Sequence, residues 1–529
     1  MMAARRRARG RNLMTTTVAK AYEELSYPGV SLPQMHPSLL AAVAALFDLQ
    51  ATPVERCRVL ELGCGDGTSL ISMAFELPES RFLGVDLTAA AIEEASGNAA
   101  TLGLQNIEFR RMDILEADAR LGQFDYIISH GVFTWVPEAV REKLLWLCRE
   151  LLAPNGVAYV SYNARPGGDL RMMWRDMMLF HIPSEGPPLE RVRQARALVQ
   201  MIAEAKAGNE FYQQLTQWQR ERIDRLSDAL LFHDDLGPAH RPFYFHEFMQ
   251  RAERHGLQYL GEADFFSMSD LRLPAAVRET LAQIPGIVAR EQYMDFLTGR
   301  TFRQTLLCHR AVQLDRTVRP ERLEGLCFAS PAEPASPQPA IASDAVEEFH
   351  VGENVTVKTP HPLAKAMFVA LGEAWPADLR FAELRARVSQ LIGATDAREL
   401  AEGLLNIIAT RPVVVFGTRP HACATTVSER PRLNPIARMQ LEAGRPSVTS
   451  LRHFSVDARD PLFRAVLSLL DGERDRAAIA DALAAAIESG KVPGPPAGAG
   501  GGARPLRVQI AEDIGRNLRD IVRMGLLIA

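Results

Sequence analysis

The segment Arg58-Val-Leu-Glu-Leu-Gly-Cys-Gly-Asp-Gly-Thr-Ser69 joins a short apolar run to three closely spaced glycines and then to a helical pattern. A strand, turn and helix of this kind is typical of the first βα unit of a sheet that binds a nucleotide-like ligand. Glycine suits the turn because its backbone adopts positive φ angles and approaches a ligand closely. The next helix offers unpaired N–H groups to an anionic part of that ligand. The segment therefore predicts an α/β domain with a ligand at the end of its first strand.

Short apolar runs continue through residues 57–163, separated by helix-length spacers such as residues 88–103. The runs are RVLEL, RFLGVD, IEFRRMD, FDYIISH and GVAYVSYN. Each run is too short for a helix, and the spacers hold Ala, Glu and Asn at helical period. This alternation predicts a Rossmann-like, doubly wound and mostly parallel sheet.

Acidic residues stand where the first three predicted strands end. Asp86 ends the second strand, where a carboxylate can accept hydrogen bonds from both hydroxyls of a ribose. Asp113 follows the third strand and can accept a hydrogen bond from an adenine amine. The glycine spacing is G-x-G-x-G instead of the G-x-G-x-x-G of dinucleotide sites, and Glu61 precedes it. We therefore predict a site for S-adenosylmethionine (SAM), with a dinucleotide site or a relic that binds nothing as the alternatives.

Composition sets the limits for the rest of the chain. At 529 residues it is too long for one core, and 47% apolar with 23% charged residues is typical of globular domains. A net charge of −4 gives no reason to expect a nucleic acid partner. The six cysteines include no C-x-x-C pair, which disfavours a zinc site or a disulfide framework and favours a reducing compartment. With no apolar run near the roughly 20 residues of a membrane helix, we expect a cytoplasmic protein without membrane insertion.

Changes in pattern divide the chain into five parts. Helical period with few turn signals marks an insertion at about residues 170–240, strands are predicted at 257–266 and 301–309, and a Pro-, Ala- and Ser-rich stretch marks an exposed linker. The predicted parts are a disordered basic leader (1–21), a SAM-binding domain (22–315), the linker (316–345), a middle helical domain (346–430) and a mostly helical C-terminal domain (431–529).

With these motifs in view, the chain resembles the class I SAM-dependent methyltransferases. Four further stretches narrow the resemblance to bacterial members with a methyltransferase regulatory region, similar to the lysine methyltransferases of outer-membrane proteins. These are YEELSYPGVSLPQMHPSLL, SYNARPGGDLRMMWRDMMLFH, RPFYFHEFMQRAERHGLQYLGEADF and FRQTLLCHR. The resemblance implies winged-helix-like structure near the C-terminus. One departure is Gly168, which follows Pro166 and Gly167 where the family often has an aromatic residue.

The resemblance also implies which residues bind SAM, with Tyr27 closing over it from the N-terminal segment. The predicted cofactor-binding residues are Tyr27, Glu61, Gly63, Cys64, Gly65, Gly67, Asp86, Leu87, Asp113, Ile114 and His130.

Residues after the fourth and fifth strands stand where such folds face the methyl acceptor. We predict that His130, Phe133, Trp135, Tyr162 and Asn163 form the acceptor-side wall. Phe133 and Trp135 could instead pack the next helix, and His130 could be a structural histidine instead of a SAM contact or a base.

Three functions remain open from the sequence. The leading hypothesis is an enzyme that methylates protein lysine side chains, because two additional C-terminal domains suit a macromolecular substrate. The alternatives are a small-molecule methyltransferase, in which the insertion forms a lid, and a SAM-binding regulatory or interaction protein. We expect a protein or a small molecule as the methyl acceptor, a second copy of the chain as a further partner, and no metal cofactor.

Overall fold

The computed structural model describes residues 25, 27, 29–352, 355–494 and 506–528. The predicted basic leader lies outside the described residues, as does most of the Gly-rich stretch near residue 500.

A seven-stranded mixed sheet forms the centre of the first domain within the described residues. Its strands are β1 (Arg58–Leu62), β2 (Arg81–Asp86), β3 (Ile107–Arg111), β4 (Phe124–Ser129), β5 (Leu152–Asn163), β6 (Leu257–Glu262) and β7 (Phe302–His309). The order across the sheet is β3-β2-β1-β4-β5-β7-β6, in which β7 runs antiparallel to both neighbours and the first five strands are parallel. The order reverses between β1 and β4, which is the point where such sheets bind ligands. The Rossmann-like sheet that the sequence predicts is confirmed.

Helices cover both faces of this sheet. Those before the insertion are α1 (Pro37–Leu46), α2 (Thr68–Glu76), α3 (Ala89–Thr101) and α4 (Glu138–Leu151). Apolar residues of α1 and α2 pack on one face, and those of α4 pack on the other. Every side chain of β1 after Arg58 is buried, as expected for a central strand with helices on both faces.

The helical insertion follows β5 and has an apolar core of its own around Trp174 and Met178. Its helices are α5 (Gly168–His181), α6 (Pro188–Ala205), α7 (Glu210–Arg225) and α8 (Asp228–Leu236). The chain then returns to the sheet through α9 (Phe245–Arg254), β6, α10 (Ala275–Ala282), α11 (Ile287–Thr298) and β7. The strand predicted at 257–266 ends earlier, at Glu262, because Phe265–Met268 forms a 3₁₀ helix.

A buried charge cluster joins the late strands to α11. Arg303 on β7 is fully buried and pairs with Glu262 at 2.5 Å, Glu291 at 3.0 Å and Asp295 at 2.9 Å. A second cation, Arg300, also pairs with Asp295 at 2.7 Å. Two arginines thus face three carboxylates, so loss of Arg303 would leave buried Glu262 and Glu291 without a cationic partner.

The structure differs from the sequence prediction at the linker. Residues 316–345 include β8 (Cys327–Ala329) and β9 (Ala332–Pro334), and all three residues of β8 are buried. Both strands pair with later parts of the chain, which satisfies their backbone groups. The Pro and Ala composition concealed a short apolar run that joins the core of the first domain.

The middle region packs on the α1 side of the large sheet and shares its apolar core. Its elements are β10 (Glu347–Val351), β11 (Val355–Thr359), α12 (Pro362–Ala374), β12 (Leu379–Arg380), α13 (Phe381–Ile392), α14 (Ala397–Thr410) and β13 (Val415–Gly417). The C-terminal region has a separate core. Its elements are α15 (Pro435–Glu442), β14 (Ser447–Thr449), β15 (Ser455–Asp457), α16 (Pro461–Leu469), α17 (Arg476–Glu488) and α18 (Leu506–Arg523).

The C-terminal region contacts the glycine-rich turn directly. Arg445 donates to the Oδ2 atom of buried Asp66 at 2.9 Å and also pairs with Glu94 on α3. On its other side Asp66 meets the N-terminal segment, where a Cβ atom on Gly29 would lie 2.0 Å from Asp66 Oδ1. Parts of the chain about 380 residues apart therefore meet at this turn.

A buried histidine cluster lies at the same junction. Glu76 at the end of α2 accepts from His453 Nε2 at 2.6 Å and lies 3.5 Å from His36 Nε2. Potential ligand atoms of these three residues lie within 4.8 Å of one another. The expectation of no metal site rested on cysteine spacing and did not consider this cluster.

No helix among the described residues has the length and apolar character needed to cross a membrane.

Candidate active site

A cavity of about 690 Å³ opens at the carboxyl edge of the large sheet, beside the turn between β1 and α2. Most of the residues predicted for the site line it. These are Tyr27, Glu61, Gly63, Cys64, Gly65, Asp86, Leu87, Asp113, Ile114, His130, Trp135 and Asn163. The N-terminal segment and the helical insertion complete the walls.

The turn after β1 needs glycine at two positions for different reasons. Gly63 has a φ of +82°, and a Cβ atom there would lie 2.5 Å from Val132 Cγ2. Gly65 has a φ of +53° and lines the cavity, with no atom of the described chain within 4 Å of where a Cβ would stand. A side chain at Gly65 would therefore fill ligand space.

Gly67, predicted to bind the cofactor, does not line the cavity. It caps α2 with a φ of +71°, and a Cβ there would lie 2.5 Å from the ring of Phe109. Because Gly67 has no side chain, α2 can pack closely against α3 and β3.

Asp86 is fixed at the end of β2 by the turn that it faces. Its Oδ2 atom accepts from Gly65 N at 3.0 Å and its Oδ1 atom accepts from Thr88 N at 2.9 Å. Each carboxylate oxygen keeps a further lone pair for a ligand in the cavity. The carboxylate is thus oriented in advance for a pair of hydroxyls.

Glu61 has a buried Oε2 atom with no hydrogen-bond partner among the described residues. Burial raises its pKa to about 8, and the neighbouring carboxylates of Asp66 and Asp86 add to the shift. An unpaired buried carboxyl next to two acids favours a cationic ligand group at this place.

His130 stands at the end of β4 with a neutral ring. Burial lowers its pKa to about 4, and its Nδ1 atom is hydrogen-bonded to Tyr159 Oη at 2.9 Å. It lines the cavity, but a group with so low a pKa is a weak proton acceptor at neutral pH. The geometry supports a contact role and does not support a base.

Two of the five predicted acceptor-side residues do not reach the cavity. Phe133 and Tyr162 are fully buried and pack around Phe248 of α9, with ring centroids 5.2 and 4.2 Å away. Tyr162 turns away from the cavity because successive side chains of β5 point to opposite faces of the sheet, and Phe133, after β4, packs in the same apolar core. Asn163, next to Tyr162, does line the cavity, as does Trp135.

The sequence reasoning named no cavity residue of the insertion, and it named only Tyr27 from the segment before α1. Arg171, Trp218, Arg222 and Asp234 line the cavity from three helices of the insertion. Helical periodicity indicated that the insertion exists and gave no signal for which face meets the site.

Comparisons with known proteins agree with this geometry. Three family models match the chain, described as "Methyltransferase domain" at residues 53–225, "Predicted methyltransferase regulatory domain" at 227–309 and "PKMT, C-terminal winged helix domain" at 429–521. Uncharacterised protein RP789 from Rickettsia prowazekii is 32% identical over 491 residues, or 90% of this chain and 88% of that protein. The chain belongs to the family of RP789, within the SAM-dependent methyltransferases.

Solved structures extend the likeness to the whole methyltransferase. PKMT2 from Rickettsia typhi is 26% identical and covers 95% of this chain and 100% of its own, with a TM-score of 0.84 alone and 0.85 in complex with AdoHcy. AdoHcy is what SAM becomes after losing its methyl group. The family resemblance and the winged-helix domain predicted from the sequence are confirmed.

The cavity of the methyltransferase fits SAM by its own chemistry. Glu61 supplies an unpaired acceptor for a cationic group, Asp86 lines the space with a carboxylate held by two backbone N–H groups, and Gly65 leaves the turn open. When bound, SAM supplies an electrophilic methyl group on a sulfonium.

SAM binding should release a proton from Glu61. With a pKa of about 8 this carboxyl is mostly protonated at pH 7, and the positive charges of SAM favour its ionised form. Affinity should therefore rise with pH and level off above about pH 8. Calorimetry at pH 7 in two buffers of different ionisation enthalpy should show release of about one proton in the wild type. Glu61→Gln should show none, and equal release in both proteins would contradict the assignment.

Arg445→Ala should weaken SAM binding although Arg445 belongs to the C-terminal region. The change frees Asp66 in the glycine-rich turn, and loss of one partly exposed, charged hydrogen bond predicts an increase of about 3- to 10-fold in the Kd for SAM. Arg459→Ala is the matched control, because Arg459 in the same region pairs with Asp457 at the surface. Equal calorimetric Kd values for both variants and the wild type would show that the contact does not support the turn.

Proposed function

We propose that this methyltransferase transfers methyl groups from SAM to lysine side chains of proteins. The observation that carries the proposal is the match to Rickettsia typhi PKMT2, a protein lysine methyltransferase, over 95% of this chain. The match to a PKMT winged-helix model at residues 429–521 supports it independently of the SAM-binding domain.

The aromatic lining of the cavity suits a long apolar side chain that ends in an amine. Trp135 and Trp218 both line the cavity. Aromatic walls remove water from a lysine amine, which lowers its pKa and favours the neutral, nucleophilic form. Methyl transfer is an in-line displacement, so the enzyme chiefly positions the nucleophile and excludes water.

The remaining parts of the proposal are a bacterial, cytoplasmic setting and a possible homodimer. Relatives from two Rickettsia species support a bacterial source, and the cysteine spacing favours a reducing compartment.

The test uses the full-length enzyme, methyl-labelled SAM and lysate from the source organism. Label should enter acid-precipitable protein, and mass spectrometry should locate it on lysine Nζ. Acetylating the lysines of the lysate beforehand should remove the signal, as should Asp86→Ala in the enzyme. Label only in small molecules would contradict the proposal and favour a metabolite methyltransferase, and no label in either fraction would favour a SAM-binding regulatory protein.

A further inference from the structure

The wall of the cavity that includes residues of the helical insertion holds one carboxylate, Asp234, that the SAM assignment does not use. We call this wall the acceptor end. Its members are Tyr27, Trp135, Asn163, Arg171, Trp218, Arg222 and Asp234. Asp234 lies near the end of α8, and its side chain is 23% exposed, so a ligand can reach it.

The arginines of the acceptor end are already paired with the neighbouring acid. Asp235 is fully buried and accepts two hydrogen bonds from Arg171, at 2.7 and 3.1 Å, and one from Arg222 at 3.0 Å. Asp234 lies only at 3.6 Å from Arg171 Nη2. Two arginines and two aspartates therefore balance in charge, and Asp234 is the carboxylate of this group that is held least tightly.

Two neighbouring aromatic residues hold Asp234 in its place at the cavity wall. Trp135 Nε1 donates to the backbone oxygen of Asp234 at 3.3 Å. The Tyr27 side chain is hydrogen-bonded to the carboxylate. Both aromatic residues line the same cavity as Asp234. A carboxylate beside aromatic side chains suits a single desolvated ammonium group.

We propose that Asp234 binds the ammonium group of the incoming lysine and accepts its proton before methyl transfer. The inference rests on the proposed function and names the residue that serves the substrate. The Asp234 carboxylate takes one proton from Lys-NH₃⁺ and becomes the acid. The neutral amine then bonds to the methyl carbon, the carbon–sulfur bond breaks, and its electron pair stays on sulfur. The product is a methylated ammonium, and the proton on Asp234 leaves to solvent.

The electrostatics of the acceptor end agree with this role. Burial raises the pKa of Asp234 to about 6, and Asp235 adds to the shift while Arg171 and Tyr27 oppose it. Asp234 is thus ionised at neutral pH and closer in pKa to a desolvated amine than an exposed aspartate would be. His130 at the end of β4 also lines the cavity, and its pKa of about 4 makes it a weaker proton acceptor than Asp234.

The experiment compares Asp234→Asn with wild type, Asp234→Glu and the control Asp228→Asn. Asp228 begins the same helix, pairs with Arg196 and does not line the cavity. Each protein is assayed with methyl-labelled SAM and the lysate, and its SAM Kd is measured by calorimetry. We expect Asp234→Asn to lower kcat/KM for protein about 100-fold or more with the SAM Kd within about twofold of wild type. Asp234→Glu should recover part of the activity, and Asp228→Asn should match wild type.

The pH profile separates a proton acceptor from a structural residue. Wild-type kcat/KM should rise as pH increases through about 6, because Asp234 must be ionised to act, and Asp234→Asn should lack this rise. If wild type and Asp234→Asn label protein equally well, the inference about Asp234 is overturned and the proposed function stands. Equal loss of SAM binding and activity also overturns it, because it assigns Asp234 to the cofactor. A wild type that labels no protein overturns the proposed function and this inference with it.

Discussion

Asp86→Ala should abolish detectable methyl transfer while the protein stays folded. The substitution removes the carboxylate that faces the cavity and that also accepts from Gly65 N and Thr88 N. Two charge-assisted hydrogen bonds to a ribose are worth about 3 kcal/mol or more together, so the Kd for SAM should rise at least about 100-fold. Calorimetric titration with SAM and the labelling assay measure the two effects.

Two variants make this result specific. Asp86→Asn keeps an acceptor of similar shape and should bind SAM with intermediate affinity. Glu79→Ala removes a surface acid that pairs with Arg56, and it should behave as wild type. A Kd for Asp86→Ala within about fivefold of wild type would show that this carboxylate does not hold the cofactor.

Arg303→Leu should produce the largest loss of stability among the substitutions considered. It leaves Glu262 and Glu291 buried without their cationic partner. Breaking a buried ion pair from one side costs about 3–5 kcal/mol, because the remaining charge stays in a medium of low polarity. Urea unfolding followed by tryptophan fluorescence should show the transition at clearly lower urea.

The matched control for this prediction is Arg56→Ala. Arg56 pairs with Glu79 where both side chains are largely exposed to solvent. Water and salt screen such pairs, so little change is expected. If Arg303→Leu and Arg56→Ala unfold at the same urea concentration, the buried cluster does not hold β7 to α11.

The sheet and the cofactor half of the cavity could be predicted because their signals are local. A buried parallel strand gives a short apolar run, and the residue after it stands at the sheet edge. This placed Glu61, Asp86 and Asp113 together although 52 residues separate the first from the last. The spacing of the glycines did not indicate that Gly67 allows close packing of α2 instead of binding the cofactor, because that packing involves Phe109 of a strand distant in sequence.

The acceptor half could not be predicted in the same way. Phe133 follows β4 and Tyr162 lies near the end of β5, but both side chains pack in the core around Phe248. Asp234 and Trp218 lie on helices whose orientation is set by packing within the insertion. The sequence pattern of each helix does not indicate that orientation. Adjacent acids such as Asp234 and Asp235 look alike in sequence and differ only once Arg171 is placed.

Amino-acid composition was not enough to predict the structure in the middle of the chain. The Pro, Ala and Ser content around residue 335 is typical of an extended linker. Cys327, Phe328 and Ala329 are nonetheless fully buried, because strands from residues 379–380 and 415–417 pair with them. Pairing partners that are 50 to 90 residues away override a local tendency to remain exposed.

The contact between Arg445 and Asp66 also couples SAM binding to the attachment of the C-terminal region. If the contact of Arg445 stabilises bound SAM by some free energy, thermodynamic linkage requires bound SAM to stabilise the attachment of the winged-helix domain by the same free energy. The enzyme with SAM bound and the enzyme without it must then differ in how firmly the C-terminal region is attached. Proteases that cut between the middle and C-terminal regions would thus report cofactor occupancy from a place far from the methyl group.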